Sequence, residues 1–359
     1  MRLSVALSIL VFFLACSNSG DEADTPTPTP DPPTTGSGYA PTTTLKDAAT
    51  FPVGLATQVR YLDFPTYTQI TEKEFNSITG EYQMKQNIIH TGPTSYNWTP
   101  SDALVNYAKR NGIRVHGHAL IWHQSIPDWL GDFTGTDEEF EEIVKTYIQT
   151  VVNKYGTDVV SWDVVNEAFN DTGGTRETLF LQRMGPDYVA KCFQYAHEAN
   201  PGMLLFYNDY GTVWDQAKLD NMLAMIDDFQ DRGIPIDGVG LQLHITYNFP
   251  EISRIQAAVN ELVNRGLRVH FSEVDIRVNP EGDISSLTSA RAAAQEARIK
   301  ELVEVFQTIP PDLQFGITFW GLRDSESWLI DFWGNPEWPL LFTDGYQYKL
   351  AHRGFLEGL

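Results

Sequence analysis

The chain has 359 residues, 42% hydrophobic and 12% aromatic, with 47 acidic against 25 basic side chains and a formal net charge of -22. That apolar content excludes a disordered chain and allows a large core. The acidic excess disfavours phosphate binding, which excludes nucleic acid and anionic membrane surfaces as partners.

Arg2 precedes an apolar run from Leu3 to Leu14 that is too short to span a membrane and fits an export signal over residues 1–15. Cys16 follows Leu14-Ala15 and is trailed by small and polar residues. This resembles the bacterial lipoprotein signal, in which that cysteine becomes the lipidated first residue; an ordinary signal peptide is the alternative. The mature chain is then expected to be exported, secreted or held at the outer envelope by a lipid on Cys16. Cys192 would remain alone, without a partner for an internal disulfide. Residues 16–44, including "DEADTPTPTPDPPTTGSGY", have little to bury and read as a flexible Pro/Thr-rich linker.

From residue 45 to 359 no second linker interrupts the chain. Short β-like runs at 53–59, 75–78, 113–118, 159–165, 204–208, 239–244, 269–274 and 316–320 alternate with amphipathic helical patterns. "SDALVNYAKRNG" reads as a helix with Ser101 as its cap and Gly112 as its stop. "DEEFEEIVKTYIQTVVNKYG", "DYVAKCFQYAHEANPG", "AKLDNMLAMIDDFQDRG" and "EISRIQAAVNELVNRG" likewise end at a glycine before the next strand. The acidic "GTDEEFEE" starts the second of these helices. Eight β/α units in one uninterrupted stretch predict an α/β fold, a (β/α)8 TIM barrel, whose functional groups stand at the C-terminal ends of its strands.

Those ends are rich in polar and aromatic groups. The third strand leads into "HGHALIWH" with His116, His118, Trp122 and His123, and the fourth ends at Asn166-Glu167. The fifth carries Asn208 and Asp209, the sixth Gln242 and His244, the seventh Glu273 and Asp275, and the eighth Trp320. Two carboxylates among amides, imidazoles and indoles suit glycoside hydrolysis, in which one acid protonates the leaving oxygen and one carboxylate attacks carbon or activates water. Taken singly, a glutamate after a strand is more often a loop residue and a tryptophan more often core. The three histidines allow a metal reading, since residues two apart on a strand share a face; no cysteine or carboxylate ligand set accompanies them.

Together "WDVVNEA", "SEVDI", "GHALIWH", "YNDYG", "GVGLQLH" and "FWGLRDSESWL" resemble, in order over nearly all of residues 45–359, glycoside hydrolase family ten, the β-1,4-xylanases. The resemblance implies an endo-acting enzyme that cleaves internal β-1,4-xylosidic bonds of xylan and xylo-oligosaccharides by double displacement, with retention. Glu167 is then similar to the acid/base and Glu273 to the nucleophile. Asn166 and Gln242 would bind the sugar being cleaved, and His244 would hold the nucleophile. Lys85, His118, Trp122 and Trp320 would wall that subsite, Trp328 and Glu81 would hold the next sugar, Asn208 would add a substrate contact, and Asp275 would support from behind. Partial burial is expected to keep Glu167 a proton donor, while Glu273 stays ionised. No cofactor or metal is implied, and a monomer is expected.

The match departs from the family at "GEYQMKQN", where Tyr82 replaces the usual Asn and Gln86 the usual Trp. Either the xylan preference persists or the subsite is adapted, for instance to mixed linkages or side groups. A non-catalytic glycan-binding lipoprotein and a hydrolase of β-glucan or mannan are the competing functions. The presence of both carboxylates opposes the first, and Lys85, which crowds larger sugar substituents in the family, opposes the second.

Overall fold

Apolar runs with no polar face can only be satisfied where a strand is covered on both sides, by helices outside and by other strands within. The computed structural model, which describes residues 39–359, places eight such strands in parallel. They are β1 (Val53–Thr57), β2 (Ser77–Gly80), β3 (Arg114–Gly117), β4 (Ser161–Asn166), β5 (Leu204–Tyr210), β6 (Gly238–Gln242), β7 (Arg268–Arg277) and β8 (Gln314–Phe319). Each pairs with the next in sequence, and β8 pairs with β1, so the sheet closes into a barrel without an edge. The export signal, Cys16 and the Pro/Thr-rich stretch up to residue 38 lie outside the described residues.

Eight helices alternate with the strands: α1 (Pro65–Glu74), α2 (Thr99–Arg110), α3 (Asp137–Tyr155), α4 (Tyr188–Ala199), α5 (Gln216–Arg232), α6 (Ile252–Asn264), α7 (Ser289–Gln307) and α8 (Leu350–Glu357). In α6 the buried residues are Ile255, Ala258, Val259 and Leu262, a helical stripe turned to the barrel. The acidic "GTDEEFEE" does begin α3. Thr136 and Glu139 form a reciprocal capping box, and Asp137, Glu138 and Glu139 lie at the positive end of the helix dipole.

Several boundaries differ from the sequence expectation. Helix α2 starts at Thr99 rather than at a Ser101 cap, because Pro100 presets its first turn; the Ser101 hydroxyl instead donates to the Trp98 carbonyl at 3.1 Å. Helix α4 ends at Ala199 with Asn200 as its C-cap, before Gly202, and β1 gives way to a 3-10 turn over Val59–Asp63. Strand β7 runs on to Arg277 because its upper half finds a partner in the short strand His244–Thr246, with His244 opposite Asp275.

Inside the ring, β3, β5, β7 and β8 meet although they are not all neighbours. His116 packs on His270 at 4.9 Å, Phe206 on Phe315 at 4.4 Å, and the Arg114 guanidinium lies 4.1 Å over the Phe315 ring. The barrel is therefore a filled core rather than a pore, and a ligand must lie across its rim. Tyr39, the first described residue, already packs on α8, its hydroxyl 3.2 Å from His352 Nδ1.

Candidate active site

Glu167 follows the last residue of β4 with φ of 58°, a left-handed conformation that costs a non-glycine residue roughly 1–2 kcal/mol. Its neighbours hold it there. The Glu167 N–H donates to the Asn208 carbonyl at 2.9 Å, the Ala168 N–H to the Tyr207 hydroxyl at 2.9 Å, and Arg176 Nε to the Glu167 carbonyl at 3.2 Å. The turn aims the side chain at the rim, where it is 9% exposed. One carboxylate oxygen accepts from Trp122 Nε1 at 2.9 Å, and the other from Asn166 Nδ2 at 3.2 Å and Gln242 Nε2 at 3.3 Å.

Glu273 is set differently. Its Oε1 accepts from Asn208 Nδ2 at 2.7 Å and its Oε2 faces His244 Nε2 at 3.1 Å. Burial alone would raise its pKa, but the His244 hydrogen bond, the charges of His118 and His244 and the Asn208 amide outweigh it and hold the carboxyl below the usual range. His244 also reaches Asp275 Oδ2 with Nδ1 at 2.8 Å. Against the lowering effect of burial, the two carboxylates push it up to about 10, so it stands as an imidazolium donating from both nitrogens. Asp275, fully buried, also accepts from Trp328 Nε1 at 3.1 Å and so joins His244 to that wall.

One amide network joins the two halves. Asn166 Oδ1 accepts from Asn208 Nδ2 at 2.9 Å and Gln242 Nε2 at 3.0 Å, while Asn208 Oδ1 accepts from Ser272 at 2.6 Å. Asn208 lies wholly beneath the rim, its amide used within the protein. It reaches across β6 because Gly240 leaves the space: a Cβ there would come within 2.1 Å of Asn208 Oδ1.

The walls assemble from both ends of the chain. Lys85 Nζ lies 4.4 Å over the Trp122 ring and 5.1 Å over that of Tyr82, which is half-exposed. Burial lowers the Lys85 pKa against the pull of Glu273, Glu81 and Glu167, which places one cation within the field of all three carboxylates. Glu81 accepts from Gln58 Nε2 at 2.7 Å. Trp320 meets the rings of His118 at 5.4 Å and His244 at 6.3 Å, and Trp328 meets His244 at 4.9 Å.

The histidines of "HGHALIWH" do not converge on a metal position. His118 Nδ1 and His116 Nε2 lie 2.9 and 3.0 Å from the same Asp163 oxygen, and burial pushes His123 down to about 4. Among the described residues no group of three or more His, Cys, Asp or Glu could hold a metal ion. Arg176 escaped the sequence reading altogether. It lies nine residues beyond Glu167 in a polar loop and acts on backbone carbonyls, those of Glu167 and Phe169, which no side-chain pattern reveals. Tyr207 and Lys218 were also missed; they bracket the buried Asp209, with Lys218 Nζ at 2.8 Å and the Tyr207 hydroxyl donating to it.

The arrangement offers an ionised, fully donated carboxylate and a second carboxyl group on a separate wall, both reachable by a ligand laid across the rim. The family model for glycosyl hydrolase family 10 matches residues 43–357. Among curated relatives, endo-β-1,4-xylanase Xyn10C of Cellvibrio japonicus is 36% identical over 86% of this chain and 56% of its own, and a β-1,4-xylanase of Dictyoglomus thermophilum is 34% identical over 84% of this chain and 86% of its own. The chain thus spans about half, 56%, of the Cellvibrio relatives' length. A mutant of the Cellvibrio xylanase 10C solved in complex with xylopentaose superposes with a TM-score of 0.85 at 35% identity, over 88% of this chain and 69% of that one. By sequence, fold and the order of its strand-end residues, the chain belongs to glycosyl hydrolase family 10.

Proposed function

We propose that the protein is an endo-1,4-β-xylanase that hydrolyses internal β-1,4 bonds of xylan by double displacement. Glu273 attacks the anomeric carbon while Glu167 gives its proton to the departing glycosidic oxygen, so a glycosyl ester forms as the bond to the leaving sugar breaks. Glu167, now a carboxylate, takes a proton from water as the water oxygen attacks the same carbon, and Glu273 leaves as a carboxylate. Two inversions return the original configuration.

The observation that carries this reading is the contrast in the two settings. Glu273 is held ionised by an imidazolium and an amide, whereas the Glu167 carboxyl accepts only from the neutral N–H groups of Trp122, Asn166 and Gln242. Relatives named as xylanases support xylan as the substrate. From the sequence alone we also propose export and lipid attachment at Cys16, with the catalytic chain acting as a monomer.

The test is product analysis on linear xylan, glucuronoxylan, cellulose and mannan, with the anomeric configuration of the first product followed by proton NMR. Xylo-oligosaccharides of β configuration are expected from the wild type and none from Glu273→Gln. Glu167→Ala should slow hydrolysis of xylan roughly 10²–10⁴-fold, and far less for an aryl xylobioside whose leaving group needs no proton. Initial α products would overturn the double displacement, and silence on every polymer would overturn the enzyme.

A further inference from the structure

A line of aromatic rings leads out of the cleft along the short helix Trp328–Trp333. From His244 the rings follow one another at 4.9 Å to Trp328, 5.0 Å to Phe332 and 5.1 Å to Trp333. The last two are open to solvent, Phe332 at 64% and Trp333 at 52%. Large aromatics left side by side in water mark a surface that is covered in use, and here the patch is continuous with the cleft.

Trp333 is also held in place. The Arg277 guanidinium lies 4.4 Å over its ring, and Arg277 is itself anchored to the buried Glu337 at 2.9 Å. With one face taken by that cation, the exposure falls on the other face and the edge. Gly334, with φ of 68°, ends the helix at once, so no further turn packs against the two rings.

We propose that Phe332 and Trp333 form an accessory platform that continues the cleft beyond Trp328 and binds further pyranose rings of the same neutral β-linked chain. The proposal rests on the xylanase reading given above. Sugar rings present flat C–H faces that stack on aromatics without needing charge. The surroundings fit a neutral ligand: the Arg277 guanidinium is already paired with Glu337, Asp331 lies on the same helix, and the net charge of -22 is unfavourable to an anionic membrane or a phosphate-bearing partner.

The experiment compares the wild type with a Phe332→Ala/Trp333→Ala variant on an aryl β-xylobioside, on xylohexaose and on soluble xylan. The expected result is a rise in KM of roughly three- to tenfold on the two long substrates, with kcat/KM on the aryl xylobioside within about twofold of wild type. The short substrate also reports that the variant is folded. Unchanged kinetics on long substrates would overturn the platform, as would an equal loss on short and long ones. Unchanged kinetics with altered sedimentation or vesicle binding would overturn it in favour of self-association or a membrane contact. Failure of the xylanase reading would show separately, as a wild type inert on every xylan, and the platform would fall with it.

Discussion

His244 stands between two carboxylates and carries the charge that keeps both in place. Its folded pKa of about 10 lies above the unfolded value of roughly 6.5. Its contribution to stability is therefore complete below about 6.5 and is lost as pH climbs through about 10. Glu273 runs the other way: its pKa is lowered, so its contribution holds above the unfolded value and fades in acid. Nitrogen-15 NMR at pH 8 should find both ring nitrogens of His244 protonated, and Asp275→Asn should bring its titration down toward the ordinary range. A wild-type His244 titrating near 6.5 would refute the double donation. The residues of this centre were legible because they lie in or just beyond the C-terminal halves of the strands, which the barrel gathers at one rim. What the sequence did not reveal was the division of labour: Asn208 looks like another rim amide, yet it is fully buried and ties Asn166 to Glu273.

At the scale of elements, the turn from β4 toward α4 carries the left-handed Glu167, and Arg176 clamps it through two carbonyls while its Nη2 also donates to the Tyr210 hydroxyl at 3.0 Å. Arg176→Ala should lower kcat roughly tenfold, about 1.4 kcal/mol of transition-state stabilisation, with little change in KM. Arg176→Lys should recover only part, since an ammonium cannot span both carbonyls as a planar fork does. A KM effect with unchanged kcat would show instead that Arg176 serves substrate binding. The β/α alternation itself was readable from apolar runs closed by glycine. The connection from β8 to α8 was not, because it contains little regular structure and owes its path to contacts far along the chain. Lys349 Nζ donates to Asp324 Oδ1 at 2.9 Å and to the carbonyls of Trp338 and Leu340 at 2.8 Å, the bonds to Asp324 and Leu340 being buried. No local periodicity announces such a tie.

Over the whole molecule, that tie fastens the segment carrying Trp328 to the start of α8. Burial pushes Asp324 up to about 6, against the pull of Lys349, which shows how far the pair depends on mutual compensation. Lys349→Met should cost roughly 3–5 kcal/mol by leaving Asp324 buried and unpaired, and adding Asp324→Asn should return most of it. Denaturant midpoints of the two variants measure this; equal midpoints would mean that the pair is not a stabilising unit. The amide network has a different reach. Asn208 on β5 holds Asn166 on β4 and Glu273 on β7, with Gly240 on β6 leaving the gap between them. Neither half of the chain owns the centre, so a fragment or a half-barrel ancestor could inherit the architecture without a trace of the chemistry, which comes into being only when the last seam is sewn.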